Sequence, residues 1–515
     1  MKKRLFHCTL AISLGLALAA LLLWLGAATT VRADPGIRCV NASGTGCDPV
    51  CGGCYASVQA AVNAAAIGDE IRIAGGTYTD PAGTVAVITK ALRIIGGFAP
   101  DFSAHDPDMH QTVLDAQWGG SVISITNADD VLLMHLTLTR GDGTGSCGSN
   151  GCGGGIYSKD TSLHVGHCVI ANNVGNTAGG GKGDGGGIYA YAIPGSVDVW
   201  DSQIVSNTAN ADPSSAYYSY GGGIFIQSGM VSLVQNQVLD NVGSSAGTGG
   251  WGGGIFVYGV THADVLTNVI RGNKAAIGNR SGDGGGLVLV YSPAYVAGNH
   301  IEGNWTTPSH AGYGGGVYVQ ESDAHVTRNT IISNATGVGW VGLGGGVYVG
   351  SSKPVTLSNN LIAHNDADIY GGGVYVSWHT PPASQALLVN NTIADNGDSG
   401  VVGQSYAVLT MTNNLIAGHT AGFITASPFT GTITADTNLF WNTSDPITGS
   451  NGIREDPLLR ANYHLGADSP AVDAGLTVPW LTTDLEGTSR PQGSGYDVGA
   501  FENRGWGVYL PLVLR

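Results

Sequence analysis

Between residues 150 and 400 the apolar positions come in short bursts of strict alternation, each introduced by three glycines. The triplet starts at Gly153, Gly185, Gly221, Gly252, Gly284, Gly314, Gly344 and Gly371, eight copies at intervals of 27 to 36 residues. Each leads into a burst such as GGGIYS, GGGIFV or GGGVYV. A second phrase follows in every repeat, as in NQVLDN (236–241), NHIEGN (299–304) and NTIADN (391–396). A period of two predicts strands with one buried face. Each repeat therefore carries two or more short strands.

Residues two apart share a face, so the first and third members of each burst form inward columns. One runs Ile156, Ile188, Ile224, Ile255, Leu287, Val317, Val347 and Val374. The asparagine phrase supplies Ile170, Ile204, Val238, Ile270, Ile301, Ile331, Ile362, Ile393 and Ile416. A third column runs Val165, Val199, Leu233, Val265, Val296, Val326, Leu357 and Leu388. One repeat cannot bury such a face alone, but successive coils stacked in register can, which is a solenoid. Asn173, Asn207, Asn241, Asn273, Asn304, Asn334, Asn365 and Asn396 recur where the chain must turn. Asparagine tolerates the left-handed conformation, and its amide both donates and accepts along a stack, so a structural asparagine ladder is expected.

The repeats resemble the right-handed parallel β-helix of the pectate-lyase-like superfamily. YASVQAAVNAAAIGDEIRIAGGTYTD (55–80) is similar to the capping helix and first strand of such proteins, and TVLDAQ (112–117) with VLLMHLTLTRG (131–141) resembles their first full coils. The alternation of I-x-x-N with GGGI is similar to the repeats of polymorphic outer-membrane adhesins. SPAVDAGLTVPWLTTDLEGTSRPQGSGYDVGAFE (469–502) resembles the choice-of-anchor Q module of bacterial surface proteins. These resemblances imply an all-β fold and a surface location, and leave an enzyme of the lyase, hydrolase or epimerase kind as the alternative.

Composition agrees with strands and turns: 83 glycines in 515 residues disfavour helix interiors. A basic stub and an apolar run ending at Val31-Arg32-Ala33 read as a secretory signal cleaved after Ala33. No later segment is long enough to span a bilayer, and a monomer is expected. Seven cysteines then remain in an oxidising compartment. Cys39, Cys47, Cys51 and Cys54 read as two disulfides rather than a zinc site, Cys147 and Cys152 close a small loop, and Cys168 is left over. The formal charge of −16 argues against nucleic acid, and against polyanions unless calcium or a local basic patch intervenes. No cofactor or metal is otherwise implied. The organisation expected is signal 1–33, Cys-rich cap 34–68, β-helix 69–445, C-terminal module 446–503 and an apolar tail 504–515 that either sorts the protein or pairs with the last coil.

Candidate chemistry is sparse. Asp184 and Asp283 occupy equivalent positions before glycine triplets, but three coils separate them, roughly 14 Å at ~4.8 Å per coil, beyond the ~5 to 9.5 Å of paired-carboxylate hydrolysis. HVGH (164–167) stacks over DVWD (198–201), setting His164 beside Asp198 and His167 beside Asp201 as the candidates for an oriented base. Surface His–Asp hydrogen bonds are the plainer reading, and Arg271 beside Glu302 reads as a coil-to-coil ion pair. The fullest functional signal is aromatic. The middle member of each burst points outward, giving Tyr157, Tyr189, Phe225, Phe256, Tyr318, Tyr348 and Tyr375, flanked before the glycines by Tyr220, Trp251, Tyr313 and Tyr370. Glycines between two such stripes suggest an open surface on which sugar rings pack. A packing ladder roofed by the loops is the competing account. The expectation is an exported or surface solenoid that binds a polysaccharide or surface glycan along this face, as an adhesin does; a passive spacer is the third possibility.

Overall fold

The computed structural model describes residues 36–504 except 279, 309, 338, 340, 378–382, 426–430 and 445–448, so the signal and nearly all of the apolar tail lie outside the described residues. From Ile37 onward the chain is one compact unit. It is a parallel solenoid whose coils contribute to three long sheets of 12, 15 and 13 strands among the described residues. One coil shows the plan: Val317–Gln320 in the triplet sheet, Ala324–Thr327 in the middle sheet, Thr330–Ile332 in the third sheet, then a loop to the next glycines. Each strand pairs in parallel with its counterpart one coil away, as Val317↔Val347, Val326↔Leu357 and Ile331↔Ile362 do. The three inward columns read from the sequence are solvent-inaccessible and form one continuous core. Each such side chain contributes about 1.5 to 3 kcal/mol by leaving water.

At the N-terminal end Ile37–Val40 extends the middle sheet by pairing with Glu70–Ala74, and the helix Val58–Ala64 covers the first coils. Ser57 caps that helix through the Ala60 N–H, and Val58, Ala61 and Val62 turn inward. Disulfides Cys39–Cys51 and Cys47–Cys54 staple the preceding loop, Cys147–Cys152 closes the small loop, and Cys168 is a buried free thiol.

The asparagine ladder is present and has a twin. Asn334 Oδ1 accepts from the backbone N–H and Nδ2 of Asn304 at 3.0 and 2.9 Å, while its Nδ2 donates to Ile301 O and Asn365 Oδ1, both at 2.9 Å. The same pattern runs through Asn236, Asn268, Asn299, Asn329, Asn360, Asn391, Asn414 and Asn438 at the preceding corner. The first ladder ends on buried His419, whose Nε2 accepts from Asn396 Nδ2 at 3.3 Å. Burial pulls its imidazole from 6.5 down to about 4. Between those values the unfolded chain takes up a proton that the folded chain refuses, so this residue lowers stability as pH falls from 6.5 to about 4, by at most about 3 kcal/mol. In urea unfolding followed against pH, the gap between wild type and His419→Asn should change over that window and be level above pH 7.5.

From residue 449 the chain makes only isolated bridges among the described residues and lies along the outside of the third sheet. The outward positions there change accordingly. Gln203, Gln237, Val269, His300 and Thr330 give way in register to Leu361, Thr392 and Leu415. Leu361 and Ala363 pack under Ala500 and Phe501, and Leu415 and Ala417 under Leu465, Ala471 and Val498. Three left-handed corner asparagines clasp the backbone of the segment: Asn359 on Thr483 O, Asn390 on Asp497 O, and Asn413 on Leu476 O and N–H.

Candidate functional site

The triplet glycines are buried, for reasons of geometry. Gly314 adopts φ +68°, and a Cβ there would lie 2.7 Å from Val317 O. One on Gly315 would lie 2.5 Å from Gly345 O, and one on Gly316 2.7 Å from Gly346 O. The open glycine surface expected between the stripes is therefore absent: neighbouring backbone occupies it.

The outward aromatic column is also covered. Tyr157–Tyr189, Tyr189–Phe225 and Phe225–Phe256 stack at 5.4 to 5.6 Å, and Tyr318–Tyr348–Tyr375 at 5.0 and 5.6 Å. Their faces meet one another, and Phe225, Phe256, Tyr318, Tyr348 and Tyr375 form a second buried cluster with Val288, Val290 and Val402, against which partly buried Tyr189 packs. Tyr318 is 5 % exposed. Burial raises the phenols of Tyr189, Tyr318 and Tyr375, and lifts Tyr348 to about 12.

The flanking column makes the roof. Asp184, Tyr220, Trp251 and Asp283 stand in register on successive coils, with Tyr313, Leu343 and Tyr370 beyond. Each aromatic leans along the axis: Tyr220 over Phe256 (5.0 Å), Tyr313 over Tyr348 (5.2 Å), and Trp251 across small Val288 to Tyr318 (5.9 Å). Their inner edges close the ladder and their outer edges reach solvent; Tyr218, against Trp251, is 39 % and Tyr370 41 % exposed. Lys182 Nζ lies 2.8 Å from Asp184 and 5.0 Å above the Tyr220 ring. Asp184 Oδ1 is buried with no hydrogen-bond partner among the described residues. Burial outweighs Lys182 and pushes the Asp184 carboxyl up to about 6; for Asp283, which accepts the Tyr313 N–H at 3.0 Å, burial pushes it up to about 7. The rim thus sets partly exposed aromatics among two carboxyls, Asp184 and Asp283, that burial shifts toward neutrality.

His164 does sit in register with Asp198, its Nδ1 2.8 Å from that carboxylate, and its Nε2 is held 3.0 Å from Asp130. Burial alone would lower this imidazole, but the two carboxylates outweigh it and raise it to about 9. Both nitrogens are engaged, which makes a cationic strut across the coils rather than a free base. His167 is not paired with Asp201 among the described residues. At its left-handed corner (φ +51°) its ring stacks 5.0 Å from His135, which meets His105 at 5.1 Å. Arg271 and Glu302 are in register, yet Glu302 pairs with His300 at 3.1 Å. Among the described residues no group of three or more His, Cys, Asp or Glu is placed to hold a metal ion.

Sequence reasoning passed over Lys182, Tyr218 and the corner asparagines. The last were signalled by the doublets opening NNL, NNT and NNL at 359, 390 and 413, where earlier phrases start with a single asparagine.

Residues 204–382 match the family model described as a right handed beta helix region. A crystal structure of pectate lyase Pel9A is similar at 12% identity with a TM-score of 0.37, covering 91% of this chain and 98% of that one. No curated protein matches the chain.

Proposed function

We propose that this is an exported β-helix protein that binds a polysaccharide along the rim beside the glycine triplets, in the manner of an adhesin. The observation that carries this reading is the register of the rim. A glycan running parallel to the solenoid axis meets one rim side chain per coil, every ~4.8 Å, in the order Tyr220, Trp251, Asp283, Tyr313, with Lys182 beside buried Asp184 at one end. Partly exposed ring edges accept sugar C–H groups, and Lys182, held by buried Asp184, supplies hydrogen bonds for orientation. Three disulfides suit the oxidising compartment that export implies, and no described helix is long and apolar enough to cross a membrane.

Paired-carboxylate hydrolysis gains no support from Asp184 and Asp283, which stand three coils apart, and the other candidate acid, Asp198, is tied to His164 at 2.8 Å. A glycan array scored for both retention and cleavage tests the readings together. Binding without cleavage is expected. Trp251→Ala should weaken it about tenfold, about 1.4 kcal/mol, while Tyr406→Ala, outside the rim, should leave it unchanged. A silent array would leave a spacer, and released oligosaccharides lost in Asp184→Asn or Asp283→Asn would make it an enzyme.

A further inference from the structure

The C-terminal segment and the coils border an open cleft of about 460 Å³ that lies apart from the rim. Its floor is His300, Thr330 and Leu361, successive members of one outward column. Arg328 stands at the corner, and Asn462 and Phe501 come from the segment opposite. The Arg328 guanidinium, the Thr330 hydroxyl and the Asn462 side-chain amide have no protein hydrogen-bond partner among the described residues, and all three line this one space.

One carboxylate, Glu486, lines the cleft itself, a second, Glu302, follows His300 on the floor strand, and both are engaged. Glu486 is held by His464 at 3.1 Å and by Arg504 at 3.4 Å, and Glu302 by His300 at 3.1 Å. Arg328 is thus an uncompensated cation in a chain of formal charge −16, the kind of local exception that lets an anion approach. Gly298, one coil before Arg328, keeps the corner open: a Cβ there would meet only Thr267, at 3.3 Å for its Cγ2. Leu361 and Phe501 give the cleft an apolar side next to the polar one.

We propose that this cleft binds a sugar through a sulfate or phosphate ester. Donors arriving from a corner, a sheet and the opposite segment suit a tetrahedral oxyanion better than the planar fork of a carboxylate. The apolar side receives the C–H edges of the sugar ring, and the volume falls in the range of small-ligand pockets. This site stands independently of the rim.

The test is calorimetric titration of the full chain with glucose 6-sulfate and glucose 6-phosphate, set against glucose, glucuronate and inorganic phosphate. Saturable binding of at least one ester is expected, about tenfold or more tighter than each of the three controls; which ester binds identifies the source. Arg328→Gln should weaken it about tenfold, Thr330→Trp should fill the floor and abolish it, and Trp251→Ala should leave it intact. The proposal is overturned if neither ester saturates, if any control binds as tightly, if Trp251→Ala removes the binding, or if both cleft variants retain it. Arg328 is a corner side chain, so should Thr330→Trp fail to fold, the arginine variant and the ligand ranking of the wild type still decide.

Discussion

Asn334→Leu is expected to destabilise the protein by about 4 kcal/mol or more, far beyond the effect of its change in volume. The substitution removes four buried hydrogen bonds at once: the Asn304 N–H loses its acceptor outright, Ile301 O loses a donor, and Asn304 Nδ2 and Asn365 Oδ1 each fall back on one remaining partner, Ile270 O and the residue-334 N–H. The orphaned N–H costs about 1 to 3 kcal/mol, because leucine offers it nothing and water cannot reach it, and each of the other lost bonds about 0.5 to 1.5 kcal/mol. The ladder is continuous, so the defect is shared with the coils on either side. Urea unfolding reads the loss directly, with exposed His325→Ala as a control expected within about 0.5 kcal/mol of wild type. A loss below about 1 kcal/mol for Asn334→Leu would mean that the aliphatic columns alone hold the coils in register.

Arg490→Met should release the C-terminal segment from the coils. Arg490 and Glu502 form an ion pair with both side chains fully buried, and Arg490 also donates to Asn359 Oδ1 at 3.0 Å, Gly499 O at 2.7 Å and Asp497 O at 3.1 Å. Asp484, which accepts the Glu502 N–H, and Asp497 add to the acidic surroundings. Removing the cation leaves Glu502 buried without compensation, a cost of about 3 to 5 kcal/mol. Limited proteolysis should then cut within residues 449–504 while the coils stay protected. The double variant Arg490→Met with Glu502→Leu, which removes both charges, should recover part of the protection. If the single variant resists protease as the wild type does, the corner asparagines and the apolar contacts hold the segment by themselves.

Much of the solenoid was legible because its rules are local and repeated. An isoleucine at position 331 and an asparagine at 334 recur at equivalent places in coil after coil, so each supports the reading of the next, and both are fully buried in the positions expected. The rim was only half legible. Alternation says that Tyr318 points away from the main core, and it does. Whether the outward side is wet depends on how far Trp251, two coils earlier, reaches across Val288. That is a contact between coils whose loops differ in length and sequence. His167 was misjudged for a related reason: register places it beside Asp201, but the left-handed corner lets the ring turn to His135 instead.

Periodicity, side-chain direction and compartment already specify the parallel coil, its three inward columns, one asparagine ladder, the cysteines that pair and the one left over. Only the folded molecule reveals that the aromatic ladder is an interior, that a second asparagine ladder supports the other corner, and that the C-terminal segment lies along the third sheet and borders a cleft. The physical reason is that a period specifies which face a residue occupies. What covers that face is settled by the shapes of non-repeating loops and by a segment distant in sequence, and neither carries a period to read.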